Sequence, residues 1–281
     1  MLVSTAMLSF IVLGLTAVFI QTQKAFRLGI KQNTITDSGR AIMDMMAGDL
    51  QQMADAQNTN WPVIVGGAPA GYFINPNYNF YWDLPNFPLP VTNFLNGLPI
   101  RTNELNEVFI LEHTNTTWLG VGYAVSNFPG VAAGSLYRYE TNITSLAPVF
   151  TNDLFSVFFA NIANTNFNSN YWHKVADGVV DLQISAYDQY GNTNYPNWQT
   201  YGYVAYPIGG LPISSSELFV SNALPCSVEL EMAILEPDAL ARARSLVFPG
   251  NTVPLNNFLS SNAAPQMEVF RQRITIPAAA R

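Results

Sequence analysis

Glu229 and Glu231 stand two residues apart in the run Val228–Leu235, where apolar and polar residues alternate. In a strand that period puts both carboxylates on one face. A carboxylate pair can share acid and base roles. The same period makes them ordinary residues of a wetted face, which is the reading adopted. His113 and His173 lie among Glu112, Asn115, Trp172 and Lys174, as solvated loop histidines do. Cys226, the one cysteine, follows Pro225 at the entry to a strand, a place for a small buried residue. Asp188-Gln189-Tyr190-Gly191-Asn192 reads as a hairpin turn with Gly191 at positive φ. It lacks the alternating ligands of a calcium loop. Gly120-Val121-Gly122 begins like a dinucleotide-binding turn, but Val125 stands where the third glycine belongs, and no G-x-S-x-G, H-E-x-x-H or P-loop occurs. The sequence therefore predicts no enzyme, no catalytic residue, no cofactor and no metal site.

Composition narrows the classes further. Of 281 residues only 11% are charged, against roughly 25% in ordinary domains. Hydrophobic residues reach 49%, which excludes a disordered chain. Twelve Lys+Arg face 19 Asp+Glu, which argues against a basic nucleic-acid surface. A single cysteine leaves no internal disulfide framework. The 28 asparagines outnumber Lys and Glu together, so amides supply much of the polar surface.

The elements that position these residues begin with Met1–Ile20, which carries no charge, no amide and no proline. A helix of that length spans roughly 30 Å, the hydrocarbon thickness of a bilayer. The spanning residues would include Leu2, Val3, Met7, Leu8, Phe10, Ile11, Val12, Leu13, Leu15, Val18, Phe19 and Ile20. A cleaved signal peptide and a buried core helix are the competing readings. The first lacks a basic n-region. The second would have to bury an all-round apolar terminus. Beyond Gln21 no proline appears before Pro62, and Ile35, Ile42, Met46, Leu50 and Met53 recur at helical spacing. They form a stripe for packing on a domain, with Lys31, Asp37, Arg40, Asp44, Asp49 and Asp55 opposite. The expectation is one helix to about Gln57. The alternative is a break near 32–38 with Asp37 or Ser38 as N-cap.

From Asn58 the texture changes to short apolar runs separated by Asn, Gly and Pro, the pattern of many strands and turns. Strands are predicted over Val108–Glu112, Trp118–Val125, Leu136–Glu140, Val179–Tyr187, Thr200–Ala205, Val228–Leu235 and Glu268–Ile276. The proline-rich segment 58–101 is expected to wrap the sheet as an extended loop rather than enter it as a central strand. Its Tyr72, Phe73, Tyr78, Phe80, Tyr81 and Trp82 would pack on the sheet, or form a contact surface for a partner. Asn161–Trp172 is expected to be an exposed, insertion-like loop. The fold class is thus α+β, a long N-terminal helix on an antiparallel β-rich domain. Its parts are residues 1–20, an amphipathic continuation over 21–57, and a globular domain over 58–281.

The segments LVSTAMLSFIVLGLTAVFIQTQKAF and DSGRAIMDMMAGDLQQM resemble the N-terminal helix of the type IV pilin superfamily. PCSVELEMAIL, PDALARARSL and VFRQRI are similar to the late strand, helix and final strand of large minor pseudopilins. They resemble those of verrucomicrobial pilin-like cassette proteins most, and the J-type subunit of type II secretion more distantly. The resemblance covers residues 1–57 and about 178–281. It implies a pilin-like fold and a minor structural subunit of a pilus or secretion filament, at the tip or in assembly initiation. It implies an inner-membrane, single-pass protein whose domain lies in the periplasm or on an extracellular filament. Its partners would be other pilin-like subunits and an assembly platform. The family's basic leader, cleavage glycine and fifth-residue glutamate are not in this sequence, so no residue takes the methylation or assembly role. The expectation is that they are encoded just upstream of Met1; an unprocessed paralogue is the alternative. A tip adhesin acting through the Asn- and aromatic-rich loops is the alternative function. Topology from charge alone is ambiguous, because Lys24, Arg27 and Lys31 follow the apolar run.

Overall fold

The computed structural model describes residues 2–54, 78–83, 93–95, 98–101, 105–126, 133–144, 170–191, 203–206, 216–220, 224–246 and 266–280, with positions 154, 157, 158, 161, 167 and 258. Helix α1 runs unbroken over Leu2–Gln51. No proline interrupts it, so the alternative of two helices broken near 32–38 does not occur. It stops at Gln51 rather than near Gln57. The last turn tightens, with the Met53 amide donating to the Leu50 carbonyl at 3.2 Å. The chain then leaves as a strand-like tail. The Ala54 amide donates to the Leu111 carbonyl at 2.8 Å, and Met53 bridges Glu112.

The strands are β1 (Tyr78–Asp83), β2 (Asn93–Leu95), β3 (Leu98–Arg101), β4 (Glu107–Thr114), β5 (Thr117–Val125), β6 (Gly134–Thr144), β7 (Trp172–Tyr187), β8 (Tyr203–Tyr206), β9 (Ser216–Val220), β10 (Ser227–Leu235) and β11 (Met267–Thr275). Nine of them form one sheet in the order β11-β10-β7-β6-β5-β4-β1-β9-β8, while β2 and β3 form a separate hairpin. Every named pairing is antiparallel. The protein is α+β.

Further expectations change. Tyr78–Asp83 is not loop, and neither are β2 and β3 of the same segment, which pair as a hairpin. As β1, Tyr78–Asp83 lies inside the sheet, with Phe80 opposite Ile110 and Phe219. The prolines at 76 and 85 bracket a proline-free aromatic run, and such residues favour a pleated surface. The Asp188–Gly191 turn exists, with the Gly191 amide donating to the Asp188 carbonyl at 3.1 Å and Gly191 at φ 81°. It is not a hairpin, because β8 pairs with β9 at the far edge and β7 pairs with β6 and β10.

Both faces of the sheet are covered. The C-terminal half of α1 packs Ile42, Met43, Met46, Ala47 and Leu50 against Val108, Ile110, Val121, Leu182, Leu230, Met232 and Ile274. Gly39 is required there, since an added Cβ would overlap the Phe270 ring. On the opposite face, α2 (Pro237–Ser245) sets Ala239, Leu240 and Ala243 over Val180, Ala233 and Leu235. Beside it an aromatic cluster joins Phe109, Trp118, Tyr139, Phe158, Phe167 and Trp172. Gly122 makes room for this cluster, because a Cβ would strike the Phe158 ring. Phe167 is therefore buried, although it lies within the segment expected to be exposed. Aromatic burial outweighs the pull of its asparagine-rich neighbours toward water.

Candidate functional site

The molecule divides where α1 meets the sheet. Every described side chain from Phe10 to Thr34 is exposed, and the first buried one is Ile35. The exposed stretch is not polar: Phe10 is 78% exposed and Leu15 67%. Met7, Ile11, Val12, Leu13, Val18, Phe19 and Ile20 are likewise open, as are Phe26 and Ile30 further on. The side chains of Leu2, Val3 and Leu8 lie outside the described residues. Among the described residues no helix is long and apolar enough to cross a membrane. The stripe residues Ile35, Ile42, Met46, Leu50 and Met53 are all buried. All but Ile35 belong to one cluster with the sheet.

Beneath the end of α1 lies a polar junction that the sequence did not reveal. Asp49, placed on the solvated side by sequence, is buried instead. Its carboxylate accepts the Tyr123 hydroxyl at 2.5 Å and the Arg138 Nε–H at 2.8 Å, with Nη2 3.2 Å from the other oxygen. The Arg138 guanidinium also donates to Glu140. Arg138 and Tyr123 are paired across β5 and β6, and Glu140 stands opposite Val121, so strand register delivers all three to the helix face. The signal was present: Ile42, Met46, Asp49 and Met53 step by four, three and four, which puts Asp49 in the buried stripe.

Glu112 lies on the same face of β4, across from Leu119. It is 4% exposed, and its Oε1 has no hydrogen-bond partner. Burial, then the nearby Asp49 charge, pushes its pKa up to about 7, with Arg138 opposing and Glu140 adding. The ordinary value is 4.5, so Glu112 keeps its proton through mildly acidic pH. Burial works against the Arg138 charge, but its bonds to Asp49 and Glu140 outweigh that and hold the guanidinium above its ordinary pKa. Burial, then Asp49, also raises the Tyr123 hydroxyl. The arrangement is a part-buried ion pair with a carboxyl of raised pKa beside it. Such a set can fasten a helix to a sheet and fix its register.

The other candidate residues are not brought together. His113 stacks on Trp118 with ring centroids 4.1 Å apart, while His173 is exposed on β7. Glu229 accepts from Arg271 and from the Tyr187 hydroxyl at 3.2 Å, and Glu231 pairs with Arg271 at 3.9 Å. Cys226 is half-buried rather than buried; burial, then Asp188, raises its thiol pKa. Among the described residues no group of three or more His, Cys, Asp and Glu could hold a metal ion. Tyr72 and Phe73 lie outside the described residues. Tyr78, Phe80, Tyr81 and Trp82 lie on β1, but their side chains are not described. Comparison with protein-family models, curated proteins and solved structures gives no match.

Proposed function

We propose that this chain is a structural subunit of a pilin-like filament, of the minor pseudopilin kind, acting at the tip or in assembly initiation. In this reading it is not an enzyme. Its apolar rod holds it in the bacterial inner membrane until assembly, with the sheet domain in the periplasm. The rod later packs against the rods of other subunits, with help from an assembly platform. The observation that carries this is the division of one unbroken helix. Its C-terminal half buries one face on the sheet, while Phe10–Ile20 stays exposed and uncharged on all sides. Water is a poor solvent for such a surface, at about 25 cal/mol per Å² of exposed apolar area. Lipid tails and neighbouring apolar helices are similar solvents, so transfer between them need not be costly.

Fractionation tests it. The full chain should stay with membranes through alkaline carbonate washing and cross-link to pilin-like subunits in sheared filaments. A chain recovered wholly in the unsedimented fraction would defeat the proposal. Alanine at Tyr72 and Phe73 separates the adhesin alternative. Lost surface attachment with intact filaments would favour adhesion, and lost filaments would favour assembly. Residues of β1 are unsuited to this comparison, because their strand lies inside the sheet.

A further inference from the structure

The rod changes character within one turn. The run without charge or amide ends at Ile20; Gln21, Thr22 and Gln23 follow, and then Lys24 and Arg27. Positions 24, 27 and 31 are spaced to share one face of the helix, and Lys31 is the third basic residue. Lys24 and Arg27 are exposed, and among the described residues neither pairs with a carboxylate. No acidic residue precedes Asp37. Three of the twelve Lys+Arg and none of the 19 Asp+Glu therefore stand before it, leaving +3 on one side and −10 on the other. Phe26 and Ile30 are exposed beside these bases, 70% and 63%. Thr16 and Thr22 donate to the carbonyls of Val12 and Val18, at 2.7 and 2.8 Å, so these hydroxyls of the rod need no water.

We propose that α1 between Ile20 and Lys31 is a collar that binds anionic lipid headgroups, with Lys24 and Arg27 on the phosphates and Phe26 seated at the boundary with the acyl chains. The proposal rests on the membrane-held rod and adds which lipid the chain selects. Charge complementarity argues for an anionic surface: Lys24 and Arg27 are uncompensated among the described residues, spaced along one face, and close to the apolar run. The geometry leaves space for it. About 22 Å of helix separates Ile20 from Ile35, and every described side chain between them is exposed, so headgroups can surround the collar without meeting the described residues of the sheet. The domain's own negative charge turns it away from the same surface, so the collar carries the attraction.

The test uses the full chain, diluted from detergent into vesicles of phosphatidylcholine alone or with a third phosphatidylglycerol, and measured by flotation. Phosphatidylglycerol should raise partitioning, and K24Q/R27Q should remove about fivefold per residue, roughly 25-fold in all. Binding to phosphatidylcholine should be unchanged, and high salt should abolish the difference. Both substituted side chains are exposed, so an unchanged melting temperature controls for folding. Equal partitioning into both vesicles, or a variant that keeps its preference, overturns the collar while leaving the membrane-held rod standing. Failure to enter either vesicle overturns the rod and the collar together. If the bases instead drive salt-sensitive self-association without lipid, their partner is a second copy and the collar is overturned.

Discussion

Glu112 couples the junction to pH. Its folded pKa, about 7, lies above the ordinary 4.5. Below 4.5 both folded and unfolded chains hold the proton, so the carboxyl adds no slope. Between 4.5 and 7 the unfolded chain loses it first, and stability falls as pH rises; above 7 the loss is complete. At 1.36 kcal/mol per unit the loss is on the order of 3 kcal/mol. Glu112→Gln should flatten this segment and leave the variant more stable than the parent at pH 8. Urea melts at pH 5 and pH 8 read both. Arg138→Met tests the ion pair itself. It leaves Asp49 without its cation, while Glu140 keeps its contact with water, and should cost about 1–3 kcal/mol, seen as a lower urea midpoint with an unchanged slope. Little of this junction was legible. Asp49 carried a spacing signal, but Glu112 sits where Val108–Glu112 is nearly all apolar, so alternation could not say which face it takes. Arg138 reaches Asp49 only through the pairing of β5 with β6.

Two glycines of α1 differ in what surrounds them. Gly39 faces the Phe270 ring, while a Cβ at Gly48 would meet nothing within 4 Å. Alanine favours helix over glycine by about 1 kcal/mol at either position. Gly48→Ala should therefore raise stability by about 0.5–1 kcal/mol. Gly39→Ala should lower it by about 1–3 kcal/mol, because the ring must move or the helix must lift from β11. Paired thermal melts decide between these signs. At this scale the sequence was most informative. The runs that became β4, β5, β6, β7, β10 and β11 carry β-branched and aromatic residues between turn signals. The miss at β1 came from weighing prolines across 58–101 as one segment. Proline limits strands only at the position it occupies.

Burial of α1 begins at Ile35, and Thr36 donates to Glu268 of β11, so the molecule should separate there. A chain lacking residues 1–34 is expected to fold with a melting temperature within a few degrees of the parent. It should lose vesicle binding and detergent dependence together, as measured by flotation and light scattering. A fragment that fails to fold would show that the exposed stretch contributes to the core after all. What the sequence determined by itself was local. It set an uncharged apolar run long enough to be a helical rod, a stripe of helical period, and short runs of strand character. These follow from backbone sterics and side-chain spacing along the chain, which need no distant partner. Tertiary structure decided the sheet order that carries β1 to the interior and β8 to the edge. It buried Phe167 under an aromatic cluster, and it gathered Asp49, Tyr123, Arg138 and Glu112 beneath one helix end. Those outcomes depend on which surfaces far apart in the chain exclude water together, and no spacing along a single run encodes that.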